Sequence, residues 1–279
     1  MLSTHDRAAL LAQLTEGIGS LTTSTAWHRY LDVQSRFHRY SFHNVLLIAA
    51  QCPEARRVAG FGAWRKLHRS VRRGERAIWV VAPMVARRPG TGPDEDRSVI
   101  SGFKLVPVFD IGQTDGAPLP AVCHRLEGDP PAALYSRLVE VAGNLGFAVV
   151  DHSFAAGTNG DCSHALRRIR VESAVSQAQR VKTLAHELAH AVLHEEVDDL
   201  ARAELEAESA AYVVCRALGI DSGCYSFGYV ASWAGGGAPA VAGIKASGDR
   251  IHAAARAVLG PLDSMAGPPL ARPAMPTSI

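Results

Sequence analysis

Cysteine is sparse and unpatterned in this chain: Cys52, Cys123, Cys162, Cys215 and Cys224 are odd in number and include no C-x-x-C pair. That argues against a disulfide framework and against a cysteine-built zinc site. Long apolar runs are missing too. The longest near the N-terminus, Val45 to Ala50, is far short of the roughly 20 residues a membrane helix needs. The first residues, M-L-S-T-H-D-R, lack the charged-then-apolar order of a signal peptide. A cytoplasmic protein without a membrane partner is therefore expected. There is no internal repeat and no phosphate-binding glycine-rich loop. What remains, 279 residues with 47% hydrophobic and 20% charged content, suits a soluble chain of one large or two ordinary domains.

Acidic residues are nearly absent from one stretch. Between His28 and Ala77, eleven Lys or Arg stand against Asp32, Glu54 and Glu75. The whole chain carries only +2, so the remainder is net acidic. A basic part joined to an acidic part is the electrostatic footprint of a polyanion-binding module attached to something else. Aromatics are interleaved with the cations: Trp27, Tyr30, Phe37, Tyr40, Phe42, Phe61 and Trp64. Single-stranded nucleic acid is held by that pairing, cations on phosphates and rings on unpaired bases. The candidate DNA contacts are Trp27, Arg36, Phe37, Arg39, Tyr40, Asn44, Trp64, Arg65, Lys66, Arg72 and Arg73.

The run T-L-A-H-E-L-A-H places His186, Glu187 and His190 in an H-E-x-x-H motif. On a helix, residues four apart share a face, so both imidazoles can converge on one ion, expected to be zinc. Glu187 falls on the flank, where a carboxylate can take a proton from water at that ion and hand it to a leaving amine. The stretch from Gln179 to Leu193 is built for a helix, with an apolar stripe of Val181, Leu184, Leu188, Ala191 and Val192.

A third ligand is sought in the next helical segment, Ala203 to Leu218. Glu204 and Glu208 share a face, whereas Glu206 lies about 200° round from Glu204 and is read as solvated. Either Glu204 or Glu208 can be the ligand, with the other hydrogen-bonding a ligand histidine. His194 extends the row one turn beyond His190, past the reach of the same ion, and is read as a supporting or surface residue. Glu195, Glu196, Asp198 and Asp199 form an acidic connection between the two helices. Tyr212, Tyr225 and Tyr229 are the candidates for stabilising an oxyanion.

The remaining elements follow from periodicity. Residues 3–18 and 24–50 read helical, with Ser24 and Thr25 as candidate caps. Ala77 to Val85 and Phe103 to Phe109 read as strands joined by a Pro/Gly-rich hairpin loop. The proline-rich segment Gly116 to Pro131 reads as a boundary. A helix over Ala132 to Leu145 and strands at Phe147 to Val150 and Arg168 to Val171 come next. The last of these is the candidate edge strand for an extended peptide.

Two resemblances sharpen this reading. Glu204-Leu205-Glu206-Ala207-Glu208 is similar to the second motif of gluzincin peptidases, E-x-x-A-(D/E/N), which implies Glu204 as the ligand. The blocks S-R-F-H-R-Y-S-F-H-N-V-L-L-I-A-A-Q and R-V-A-G-F-G-A-W-R-K-L-H-R-S-V-R-R-G-E-R-A-I-W-V-V-A-P, continuing through F-K-L-V-P-V-F-D-I-G-Q-T-D-G-A-P-L-P, resemble the N-terminal single-stranded-DNA-binding domain of ArdC-type antirestriction proteins over roughly residues 20–120. The C-terminal half is similar to the zincin domain of the same family and to ImmA/IrrE metallopeptidases. It departs at Glu206, where the ArdC pattern tends to have an apolar residue.

The resemblance implies an α+β chain of two domains, a helical/β single-stranded-DNA-binding module over 1–118 and a minimal gluzincin-like metallopeptidase over 132–259; proline content marks 119–131 as a linker, and Pro- and Ala-rich composition marks 260–279 as a disordered tail. It implies Zn²⁺ on His186, His190 and Glu204, with Glu187 catalytic, acting on an unidentified protein or peptide in an antirestriction or DNA-protection role. Two alternatives are a non-proteolytic DNA-binding protection factor with a structural zincin fold and a peptidase that cleaves a regulator.

Overall fold

A computed structural model describes residues 12, 14–88, 97–117, 131–154, 157–220 and 237–265. Two compact units emerge, each described by itself: one from residues up to Leu46 together with Pro120–Leu270, the other from Leu47–Leu119 with the last residues of the chain. Residues 24–46 pack within the unit that carries the H-E-x-x-H helix.

In this larger unit, α1 (residues 14–20) and α2 (Ser24–Arg36) lead into α3 (Phe42–Gln51). The N-cap of α2 is Thr23, one residue before the expected pair, and its hydroxyl accepts the Ala26 amide at 3.2 Å. The single helix expected over 24–50 is broken at residues 37–41. Ser41 restarts it: its hydroxyl accepts from the Asn44 amide at 3.4 Å and its carbonyl from Val45 at 2.9 Å. A serine that caps competes with one that continues a helix, and here capping wins because Phe37 turns inward to bury its ring.

After α5 (Pro131–Asn144) come β6 (Ala148–His152), β7 (Gly160–Ser163) and β8 (Arg168–Glu172). Their order in the sheet is β6-β8-β7, with β8 parallel to β6 and antiparallel to β7. The run at Arg168 is therefore the central strand, and β6 and β7 are the edges. The sequence G-D-C-S gave no strand signal, because none of its residues favours a pleated, half-buried surface. Helices α6 (Gln177–Leu193), α7 (Leu200–Ala217) and α8 (Gly237–Met265) complete the unit. The expected disordered tail is helical as far as Met265; the rest of it lies outside the described residues. Helix α8 approaches α3 closely, since a Cβ on Gly248 would stand 2.3 Å from the Phe42 ring.

The smaller unit holds the end of α3, β1 (Val58–Ala59), α4 (Phe61–Lys66), β2 (Arg69–Val71), β3 (Ile78–Arg88), β4 (Arg97–Asp110) and β5 (Thr114–Gly116). Strands β3 and β4 form an antiparallel ladder from Ile78↔Val108 to Arg88↔Arg97, with a bulge at Met84/Val85. Both strands run further than expected; residues 89–96 of the hairpin loop lie outside the described residues. Asp110 organises the turn region: one carboxylate oxygen accepts the Arg56 and Arg57 amides at 2.7 and 2.9 Å, the other the Gly112 amide at 2.8 Å. Trp64 anchors α4 by donating its indole N–H to the Phe109 carbonyl at 2.9 Å. Among the described residues no helix is long and apolar enough to cross a membrane.

Candidate metal centre

Helix α6 is capped by Ser176, whose hydroxyl accepts from the Gln179 amide at 3.2 Å. It buries Val181, Leu184, Ala185, Leu188 and Ala189, which fixes its rotation and turns His186 and His190 toward α7. Asp199 caps α7 by accepting the Arg202 amide at 3.1 Å. One turn in, Glu204 meets the two rings. The Nε2 atoms of His186 and His190 are 3.0 Å apart. Glu204 Oε2 lies 3.4 Å from the first and Oε1 3.4 Å from the second. One ligand atom from each of the three residues lies within 4.8 Å of the others.

Those separations suit a shared ion. Ligands held at ~2.0–2.1 Å in a tetrahedron stand about 3.3 Å from one another, so the nitrogens and a carboxylate oxygen need only small shifts to grip one centre. The donor set of two imidazoles and a carboxylate fits zinc and other first-row divalent ions. Electrostatics point the same way. The Glu204 carboxyl, hydrogen-bonded by His186 and His190, is held far below its ordinary range. Burial works against a charge on His186, yet Glu204 and Glu208 raise its pKa to about 9. Cations are attracted here.

Glu208 stands on the other side of the first ligand, its Oε2 3.1 Å from His186 Nδ1. Of the two glutamates left open by spacing, Glu204 faces the converging Nε2 atoms and Glu208 the opposite ring nitrogen. Glu187 is buried beside the cluster, and that burial raises its pKa against the opposing pull of His186 and His190. Edge strand β7 passes close by: a Cβ on Gly160 would lie 2.6 Å from Thr183 Cγ2 and 3.0 Å from Glu187 Oε1. Two residues on, burial pushes the Cys162 thiol up to about 12, with Glu187 adding to the shift. It stays a thiol, not a nucleophile.

One expectation fails here. Glu206, read as solvated, is 1% exposed and gathers His194, Arg202, Ser247 and Arg250 around its carboxylate. Its pKa falls to about 2, because those partners outweigh the burial that pushes it up. Helical angle measured from Glu204 was a poor guide, since α8 covers the face that α6 leaves open. Of the oxyanion candidates, Tyr212 is buried and donates its hydroxyl to Asp32 Oδ1 at 2.7 Å; Tyr225 and Tyr229 lie outside the described residues.

The candidate DNA contacts divide by chemistry. Trp27 at 0%, Phe37 at 3% and Trp64 at 1% exposure are core, as is Asn44, so none of them presents a face to a base. Tyr40 is half-buried, and burial lifts its pKa to about 12. Arg36, Arg39, Arg65, Lys66, Arg72 and Arg73 are exposed. Arg39 is paired with Asp263 at 2.8 Å and Arg72 with Glu75 at 2.7 Å. Large amphipathic rings near the start of a chain are as valuable to a core as to a base stack, and interleaving with arginine does not separate the two.

Comparison with known proteins places these features. The family model for the N-terminal domain of anti-restriction factor ArdC matches residues 7–109, and that for the IrrE N-terminal-like domain of peptidase family M78 matches residues 143–215. An uncharacterized protein of Bacillus anthracis is 24% identical, over 71% of this chain and 41% of its own length, so the chain spans about two fifths of that relative. The metal-free crystal structure of antirestriction protein ArdC from plasmid R388 aligns over 80% of this chain and 85% of its own, with 22% identity and a TM-score of 0.50. Its Mn(II)-bound form aligns over 83% and 97%, with 21% identity and a TM-score of 0.48. Residues 7–109 thus match the ArdC N-terminal domain and residues 143–215 the IrrE N-terminal-like domain, and the fold is similar to that of ArdC.

Proposed function

We propose that this chain is a zinc-dependent peptidase joined to a single-stranded-DNA-binding domain, and that it protects DNA from restriction. The observation that carries the peptidase reading is the convergence of His186, His190 and Glu204 beside a buried Glu187. In this reading His186, His190 and Glu204 hold the metal, and Glu208 steadies His186. A bound divalent ion polarises a carbonyl and makes water a nucleophile near neutral pH. Glu187, with its raised pKa, is suited to take the proton of the attacking water and release it to the leaving amine. Strand β7 pairs with β8 on one side, and its other edge is suited to hydrogen-bond an extended peptide.

The DNA-binding reading is supported by the ArdC-domain match and by the exposed Arg36, Arg65, Lys66 and Arg73. Protection from restriction is what the name of the matched N-terminal domain points to. The cytoplasm is the fitting compartment.

Glu187→Gln is the test. Zinc content should stay unchanged, while hydrolysis of a casein substrate falls by about 10²–10⁴-fold. Equal hydrolysis in the variant would rule the mechanism out. Restriction protection measured on the same variant separates the roles: loss ties protection to proteolysis, and retention supports a DNA-binding factor with a structural zincin fold.

A further inference from the structure

His190 is not left to itself on its second nitrogen. Its Nδ1 lies 3.0 Å from His194 Nδ1, and His194 Nε2 lies 3.1 Å from Glu206 Oε2. The same Oε2 accepts from Arg250 Nε at 2.6 Å; Oε1 accepts from Ser247 Oγ at 2.8 Å and Arg202 Nε at 2.9 Å. Arg250 also donates to the Leu193 carbonyl at 2.6 Å, at the end of α6. The chain of bonds runs from one ligand ring, through a buried histidine, to a carboxylate fixed by α7 and α8.

Proton positions follow without any titration. A ring that offers Nε2 to a metal keeps its hydrogen on Nδ1. His190 Nδ1–H must then donate to a bare His194 Nδ1, which leaves the His194 hydrogen on Nε2, pointed at Glu206. Each atom has one role and each role is filled. His186 is served differently, by Glu208 directly, and Glu208 is more exposed than Glu206.

We propose that His194 and Glu206 are positioning residues for the metal site, locking the tautomer and orientation of His190 through this imidazole-to-imidazole relay. The inference rests on the metal-site reading above. It predicts more than a clamp between helices, because only a relay cares which atoms of residue 194 donate and accept.

Metal affinity of the full chain, measured by chelator competition with Zn²⁺ and with Mn²⁺ alone, tests it. His194→Leu removes both bonds and should weaken binding about 10–100-fold. His194→Gln can accept through its carbonyl and donate through its amide, and should recover most of the loss. The thermal midpoint of each metal-stripped variant reports the fold separately. Unchanged affinity in a folded His194→Leu variant overturns the relay. So does a loss of about tenfold or more in His194→Gln at an unaltered midpoint, and that variant carries the test if the leucine variant fails to fold. If the wild-type chain and its His190→Ala variant take up metal equally, the metal site itself is refuted, an outcome distinct from the failure of the relay alone.

Discussion

The indole Nε1 of Trp27 donates to the Ser209 hydroxyl at 3.0 Å, fastening α2 to the helix that supplies Glu204. Asp32 reinforces the same contact by accepting from Tyr212 at 2.7 Å and Arg216 at 3.1 Å. Trp27 is a structural residue of the larger unit. Trp27→Ala should destabilise it by about 3–5 kcal/mol, read as a lower urea midpoint. A chain that begins at residue 47 should lose cooperative unfolding of that unit altogether.

Gly248 exists for the ring it faces. Its hydrogen leaves room for Phe42, which is fully buried, and a methyl would stand 2.3 Å from that ring. Helix propensity alone favours alanine by up to about 1 kcal/mol, but overpacking costs about 1–3 kcal/mol. Gly248→Ala should therefore lower the thermal midpoint despite strengthening the helix.

Gly160 poses the same problem beside the chemistry. A methyl there would press on Thr183, the Arg170 carbonyl and Glu187 Oε1 at 2.6, 3.0 and 3.0 Å. Gly160→Ala should reduce peptide hydrolysis about 10²-fold, the effect of a ~1 Å misplacement, while zinc stoichiometry by metal analysis stays near that of the wild type.

Acid should weaken the larger unit through His252. Burial first, then the charges of Arg256 and His38, lower its pKa from 6.5 to about 4, and its Nδ1 meets no hydrogen-bond partner. Between those values the unfolded chain binds a proton that the folded one refuses, so this contribution is full above about pH 6.5 and is lost as pH falls toward 4. The slope is at most about 1.4 kcal/mol per pH unit. Denaturant titrations at pH 7 and 5 check it, with His252→Gln showing a flatter dependence.

Cations, not the sequence-nominated rings, should govern DNA affinity. Replacing Arg65, Lys66 or Arg73 with Ala should each weaken single-strand binding and reduce the salt slope by about 0.7. Trp64→Ala should instead lower the stability of the smaller unit, because its indole N–H holds the Phe109 carbonyl. Fluorescence anisotropy at several salt concentrations, beside thermal melts, distinguishes the two effects.

The candidate site was legible where its geometry depends on local spacing. His186, Glu187 and His190 sit within five residues on one helix, and the apolar stripe from Val181 to Leu188 fixes their rotation. What escaped depends on distant partners. Glu206 looks solvent-facing until Ser247 and Arg250 arrive from α8, some forty residues on. Strand β7 has no pattern of its own and exists because β8 offers it a ladder. The buried tryptophans reveal the same limit: charge composition marks a surface but does not say which rings lie beneath it. The packing of α2 against α7 rests on bonds spanning 180, 182 and 184 positions, beyond the reach of any periodicity.

That separation has a cost at the ribosome. Translation at about 5–20 residues per second leaves roughly 10–40 s between emergence of Trp27 and of Ser209, so the nascent α2 must wait with its indole uncovered. The intervening residues 47–119, which make up most of the second compact unit, emerge before that partner does. A holdase that shields the early aromatic helix, or slow codons placed after residue 119, would set how much of each newly made chain reaches the native state.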